Sequence, residues 1–309
     1  MNTLTKFISI FTIACIGIVS SASAQMKTLV DVQKNFSNIQ KIEVSGGALE
    51  IQFTGSNQKD ISVEAFLEST NPNQDIVFVS VGNVLKISHK VNQTNWGNVR
   101  TKGYIRITGP SELVLEMSGG SGSISVDNLI SEETRLTVGS GSIKASKVNG
   151  DILASAGSGS ITLEKINGNI SGKVGSGNAK ISDVVGNVEY ASSSGGITVK
   201  DIDGKVNLRL TSGNAKLENV TALGDLSLTS GNLTASKVGL GQDTRISGTS
   251  GNFTIQTYSN LQDFNYNMRA SSGNITIGGT RGNKNTLINN GAAYEIKGTI
   301  VSGNISITN

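Results

Sequence analysis

Apolar and polar residues alternate through most of the chain, and the alternation restarts at a fixed interval. In Ile161-Thr162-Leu163 the aliphatic side chains stand two residues apart, and Ile166 and Ile170 follow. A period of two marks a strand, whereas a helix needs spacings of three and four. No helical stretch is evident after residue 24. Aligned on its Ser-Gly dipeptides, the chain repeats glycine at 141, 159, 177, 195, 213 and 231, eighteen residues apart each time. The series continues more loosely at Gly251, Gly273 and Gly303 and runs back to Gly122, and "VSGGALEIQF" around Gly46 is a distant copy.

Equivalent places in successive units agree in kind. One column runs Ile143, Ile161, Ala179, Ile197, Ala215, Leu233, Phe253, Ile275 and Ile305. A second runs Ala145, Leu163, Ile181, Val199, Leu217 and on to Ile307; a third runs from Val148 to Val238, and a fourth from Ile152 to Val206. Each unit carries two turn signals, one at the Ser-Gly dipeptide and one at Gly150, Gly168, Gly186 or Gly204. Two strands and two corners in eighteen residues make one circuit. A short fixed period of this kind belongs to a solenoid, in which each unit buries its apolar face only against its neighbours. The expected fold is therefore all-β, a β-solenoid of about 18 residues per coil with two main strands per coil. Aliphatic columns stacked about 4.8 Å apart would fill its narrow interior.

The residue after Ser-Gly changes from Ser (123, 142, 160) to Asn (178, 214, 232, 252, 274, 304). Stacked in register, these side chains are expected to hydrogen-bond along the axis as a corner ladder. Residues 25–110 carry strand-like stretches without the tight period and with both prolines, Pro72 and Pro110. They are expected to form irregular β coils that cap the start, with "NQTNWGNVRTKG" as a projecting loop. Residues 111–309 are expected to form the regular solenoid, continuous with the cap as one domain. The insert "RGNKNTLINNGAAYEIKG" after Gly279 is expected to cover the last coil, because a bare end exposes unpaired edges.

Composition sharpens this picture. The 309 residues include 38 Gly, only 2 Pro and 5% aromatics, unlike an ordinary globular core. A net charge of +3, spread along the chain, offers no concentrated patch for nucleic acid. Residues 1–24 read as a signal peptide: Lys6, an apolar run from Phe7 through Val19, then Ala22-Ser23-Ala24 as the cleavage pattern. The run is shorter than the roughly 20 residues a spanning helix needs, and no transmembrane segment is expected after cleavage. The single cysteine, Cys15, lies inside that run, so disulfides and cysteine chemistry are not expected of the mature chain. Thr12 stands where the lipobox usually has Leu, which argues against a lipid anchor on Cys15.

At this point "FSNIQKIEVSGGALEIQFTGSNQKDISVEA" and the recurring "SGNI" and "VNGDI" units acquire a second meaning. The chain resembles the secreted bacterial putative-adhesin family of the head-GIN and toastrack type, over essentially all of its length after the signal. The resemblance implies a parallel β-helix-like fold, an extracytoplasmic location, and a role in adhesion or the envelope stress response. It brings no catalytic residues.

A search for chemistry yields little. A calcium β-roll needs an Asp where "GGSGSISV" has Ile124, so no structural cation is expected. Asp201 and Asp203 bracket Ile202 and are expected on one outward face, with Asp183 one coil below; a solvated turn is the plain reading and a polysaccharide-cleaving site the alternative. His89 is the only histidine, expected on an exposed strand face, and triads or histidine metal clusters do not follow from one histidine. The Gly-Ser-Gly strings lack a G-K-[ST] ending and a following helix, so they are not phosphate loops. Trp96, the only tryptophan, sits in an Asn-rich loop, where it either stacks on a sugar ring or anchors the loop. No cofactor or metal is expected. The function expected is non-enzymatic: an exported adhesin-like or envelope-associated solenoid whose surface binds cell-surface glycans or proteins, with an envelope-stress module and a glycan-cleaving enzyme as alternatives. Trp96, Asp201 and Asp203 are the candidate contacts.

Overall fold

The computed structural model describes residues 25–92, 99–282 and 284–309. The N-terminal strands are β1 (Lys27–Phe36), β2 (Lys41–Ser45), β3 (Glu50–Ser56), β4 (Ile61–Ser69), β5 (Gln74–Val81), β6 (Val84–Val91), β7 (Thr101–Pro110) and β8 (Val114–Gly119). The middle holds β9 (Ile124–Val138), β10 (Ser142–Ala156), β11 (Ser160–Asn167), β12 (Ile170–Val174), β13 (Ala179–Val185) and β14 (Val188–Thr257). The C-terminal strands are β15 (Phe264–Ile277), β16 (Thr280–Gly282), β17 (Asn285–Ile288) and β18 (Tyr294–Thr308). A 3₁₀ turn, Leu261–Asp263, is capped by the Asn260 side chain accepting from the Gln262 N–H at 3.2 Å. β14 runs for 70 residues because its hydrogen bonding continues around the corners.

Two stacks of strands face each other across the core. Residues 124–127 of β9 pair with β3 on one side and with the start of β10 on the other, whereas residues 134–138 pair with β8 and with the end of β10. From β10 through β13 and into β14 the pairing is parallel between residues eighteen apart: Ile143 with Ile161, Ile161 with Ala179, and Ala179 with Ile197 on the first stack. On the second, Ile152 pairs with Ile170 and Ile170 with Val188. All four aliphatic columns are buried, from Ile143 through Ile305 and from Val148 through Val238. Burying one such side chain contributes about 1.5–3 kcal/mol, and no single layer could shield its own. The stack is therefore the unit of stability.

The third column shows why the period is uneven within a circuit. Between Leu163 and Ile166 the inward positions step by three, and the residue before Ile166, Lys165, has φ 58°. The same left-handed residue recurs at Lys147, Asp183, Asp201, Asn219 and Lys237. Each is one extra residue that turns the strand so that the next aliphatic group also points inward, as in a β-bulge. At the Ser-Gly corner the demand is for space. A Cβ on Gly177 would overlap the carbonyl oxygen of Gly159 directly beneath it. Corner backbones therefore pass too closely for any side chain.

Tyr190 is the one large ring in the middle. It lies in the row Gly172–Tyr190 and donates from its hydroxyl to the Ala154 carbonyl at 3.0 Å, two circuits away. Burial pushes its phenol well above the usual range.

The ends follow other rules. At the start, β2 and β3 stack in parallel directly under β8 and β9, while β6 and β7 lie beneath them. Outside these, β4 and then β1 add antiparallel to β7, and β5 adds antiparallel to β6 through the turn Gly82-Asn83. At the other end the last strand in sequence is not the last in space. β18 lies between β14 and β15, parallel to both, so that Gly303 sits on Gly251 and carries Gly273 above it. The coil expected to come last is thus second from the end. The 281–298 insert forms β16 and β17, which pair antiparallel with β15 and supply the outermost strands.

Candidate functional site

Trp96, together with the signal segment and Cys15, lies outside the described residues. Asp201 and Asp203 are on the surface, yet their oxygens are held by the next circuit. Asn219 Nδ2 donates to Asp201 Oδ1 at 2.7 Å, and Thr221 Oγ1 donates to Asp203 Oδ1 at 3.2 Å. Lys200 Nζ stands 3.8 Å from Asp201 Oδ2. Asp183 is exposed one circuit away, at a left-handed position like Asp201. None of the three lines the troughs described below.

His89 corrects an expectation: it is half-buried, not on an open strand face. Its Nε2 is 3.0 Å from Gln74 Oε1, and Gln74 Nε2 donates to Ser69 Oγ (3.1 Å) and Thr101 Oγ1 (3.0 Å). Burial holds the imidazole pKa below its usual value, partly offset by a backbone hydrogen bond at Gly46. The group ties β4, β5, β6 and β7 together, which is structural work at the N-terminal end. Among the described residues no three His, Cys, Asp or Glu side chains come together as a metal site.

The surface with repeated geometry is the Ser-Gly corner. A shallow trough of about 850 Å³ runs along it, lined by Ser121–Ser123, Ser140–Ser142, Ser158–Ser160 and Ser176–Asn178 of four successive circuits, with Ala48, Glu50 and Thr101–Gly103 at its N-terminal end. Around the corner, on the second stack, a trough of about 440 Å³ includes Ser155, Lys173, Ala191 and Arg209. The asparagine ladder continues the corner toward the C-terminal end. Asn232 Nδ2 donates to Asn214 Oδ1 (3.2 Å), Asn252 to Asn232 (2.9 Å), Asn304 to Asn252 (2.8 Å) and Asn274 to Asn304 (3.1 Å). The order follows space rather than sequence. Where Gly196 interrupts the row, its backbone N–H donates to Asn178 Oδ1 at 2.9 Å. Arg281 of β16 closes the ladder by donating to Asn274 Oδ1 at 3.0 Å.

Sequence reasoning found the ladder and missed the charges beside it. Lys144, Thr162, Lys180 and Thr198 form one row along the first stack, and Ser155, Lys173 and Ala191 form one along the second. These rows flank the corner on its two sides. The signal was available as a period of thirty-six residues, Lys144, Lys180, Lys216, inside the period of eighteen.

With fold and surface in hand, the relationships of the chain can be placed. The family model described as Toastrack DUF4097 matches residues 39–308, and the chain belongs to that family. Among solved structures it is similar to a "putative lipid binding protein" from Parabacteroides distasonis, at 16% identity and TM-score 0.45, over 91% of this chain and 97% of that one. It is also similar to a "putative adhesin" from Parabacteroides merdae, at 10% identity and TM-score 0.42, over 93% and 98% of the two chains. A "putative cell adhesion protein" from Clostridium sporogenes aligns at 11% identity and TM-score 0.21, over 90% and 99%. No curated protein matches the chain. Among the described residues no helix is long and apolar enough to cross a membrane.

Proposed function

We propose that this chain is an exported, non-enzymatic binding protein of the bacterial cell envelope or surface. Its working part is a β-solenoid of one circuit per eighteen residues, two main strands to the circuit, that offers a long polar surface to glycans or proteins. The observation that carries the reading is the alignment of outward side chains into rows along the stack: the Ser-Gly trough and the asparagine ladder repeat one small polar motif over many circuits. A repeated motif suits a repeated ligand, because many weak contacts on a common axis add as effective concentration does. Membership in the toastrack family supports the same reading, since the family resemblance implies an adhesive or envelope-associated role.

A pull-down of cell-envelope material and of extracellular matrix glycans by the purified protein tests the proposal. Retention of either, lost on unfolding, is the expected result. Failure to retain both, or release of new reducing ends from the glycans, contradicts it.

A further inference from the structure

The two rows that flank the Ser-Gly corner alternate in charge from circuit to circuit. The corner at 175–178 stands between Lys173 and Lys180, and the corner at 211–214 between Arg209 and Lys216. In the circuit between them the same places hold Ala191 and Thr198, and one circuit outward on either side they hold Ser155 with Thr162 and Ser227 with Thr234. Lys144 begins the pattern beside the corner at 139–142. Parallel register makes the alternation spatial: Lys144 lies beside Thr162, Thr162 beside Lys180 and Lys180 beside Thr198, while Lys173 lies between Ser155 and Ala191. The cations therefore recur at every second strand spacing, about 9.6 Å.

These charges are exposed and largely uncommitted. Among the described residues Lys173, Lys180 and Arg209 form no ion pair; Lys144 forms none either but stands close enough to Asp127 to help hold its carboxyl below the usual range, and Lys216 has a carboxylate partner, Glu218, at 3.6 Å. Over these circuits the two rows contain no acidic residue; the acids, such as Glu164, Glu189 and Asp201, stand in rows farther from the corner. An ordinary solvated face mixes both signs, so sorting by row is a property of this corner. Between the cations the corner presents hydroxyls: Ser158 and Ser160, which border the trough, on one circuit and the exposed Ser194 on another. Aromatic platforms for bases are absent from this stretch: its only ring, Tyr190, is buried.

We propose that the Ser-Gly corner between residues 139 and 216 holds a linear acidic polysaccharide along the stack, with one anionic group meeting the cations of every second circuit and neutral sugar over the hydroxyls between. A chain that alternates a uronic acid with a neutral amino sugar has this arrangement. The inference rests on the reading of the protein as a binding rod and names its ligand class. Each exposed ion pair contributes at most about 1 kcal/mol, so binding depends on ligand length and weakens as salt shortens the Debye length.

The test uses the full chain and hyaluronan oligosaccharides, with dextran of equal size as neutral control. Calorimetry at low salt is expected to show hyaluronan binding that strengthens with oligomer length, and none of dextran. The quadruple variant Lys173→Gln, Lys180→Gln, Arg209→Gln, Lys216→Gln should weaken it at least tenfold while leaving the melting temperature unchanged. A variant with Lys147, Lys165, Lys200 and Lys237 changed to Gln, equal in charge but away from the corner, should change affinity less than twofold. Equal losses in both variants, or no hyaluronan binding by the parent, overturn the inference. So does equal or stronger binding to anionic phospholipid vesicles through the same four residues, which would make the corner a membrane contact. If envelope material is still retained while hyaluronan is not, this inference falls and the broader reading stands.

Discussion

From β10 to β13 every strand is joined in parallel to residues eighteen further on, and between residues 139 and 240 the only aromatic side chain is Tyr190. At the start the outer strands are antiparallel and rings gather. Phe36 stacks on Phe78 with centroids 6.2 Å apart, Phe66 on Tyr104 at 5.8 Å, and the Arg106 guanidinium lies 3.9 Å over the Tyr104 ring. A circuit in the middle has a neighbour above and below, so small aliphatic side chains suffice to fill the core. A circuit at an end has one neighbour, and must close its core and its strand edge by other means. The aromatic rings β1 and β5 bring together supply bulk where a second layer is lacking. Antiparallel strands let a short turn, such as Gly82-Asn83, add an edge without another full circuit. The C-terminal end uses insertion as well, since threading β18 between β14 and β15 leaves the coil before it outermost.

The largest effect should come from glycine at a stacked corner set against glycine at an end. Gly177→Ala drives a Cβ into the Gly159 carbonyl oxygen and should cost about 4 kcal/mol or more in urea unfolding. Gly82→Ala meets nothing within 4 Å and bears only the left-handed penalty of its φ of 58°, about 1–2 kcal/mol. Equal costs at the two sites would mean that corner backbones do not pass as closely as described.

A middle-sized effect tests the ladder. Asn232 both donates to Asn214 and accepts from Asn252, so Asn232→Ala should cost about 1 kcal/mol. Asn309→Ala, which removes one exposed bond to the Ser259 carbonyl at the chain's end, should be nearly neutral. If the two are indistinguishable in thermal unfolding, the ladder adds nothing to the stack.

The smallest effect distinguishes the N-terminal end by pH. His89 has a folded pKa below the unfolded value of 6.5, so the unfolded chain takes up the proton first as pH falls. Stability contributed by the neutral ring is full above 6.5 and declines below it. Between about pH 7 and pH 5.5 the melting temperature should fall slightly in the parent and less in His89→Gln. A steeper fall in the variant would reverse the sign of the argument.

How much of this could be read from the residues alone differs between the same two regions. In the middle, the columns through Ile161 and Leu163 were legible because a repeating neighbour puts equivalent residues in equivalent places, and burial follows. The ladder was legible for the same reason. At the ends the local pattern is silent about order: Asn252, Asn274 and Asn304 sit in nearly identical strings, and only long-range contacts decide that 304 stacks before 274. His89 alternates like an outward residue, and the strands that half-bury it, with Gln74 among them, come from elsewhere in the chain. Asp201 and Asp203 looked like a pair because they bracket Ile202. The left-handed backbone at Asp201 and the separate bonds from Asn219 and Thr221 give each its own partner in the next circuit.

Paired cysteines test the stacking order most directly. In a Cys15→Ser background, Asn214→Cys with Asn232→Cys, and Asn252→Cys with Asn304→Cys, put sulfurs on adjacent strands within disulfide reach. Asn252→Cys with Asn274→Cys puts them two strand spacings apart, about 9.6 Å. Rapid oxidation of the first two pairs and none of the third is the predicted result. A disulfide between 252 and 274, with none between 252 and 304, would show that the coils stack in sequence order and that the C-terminal strand is not inserted.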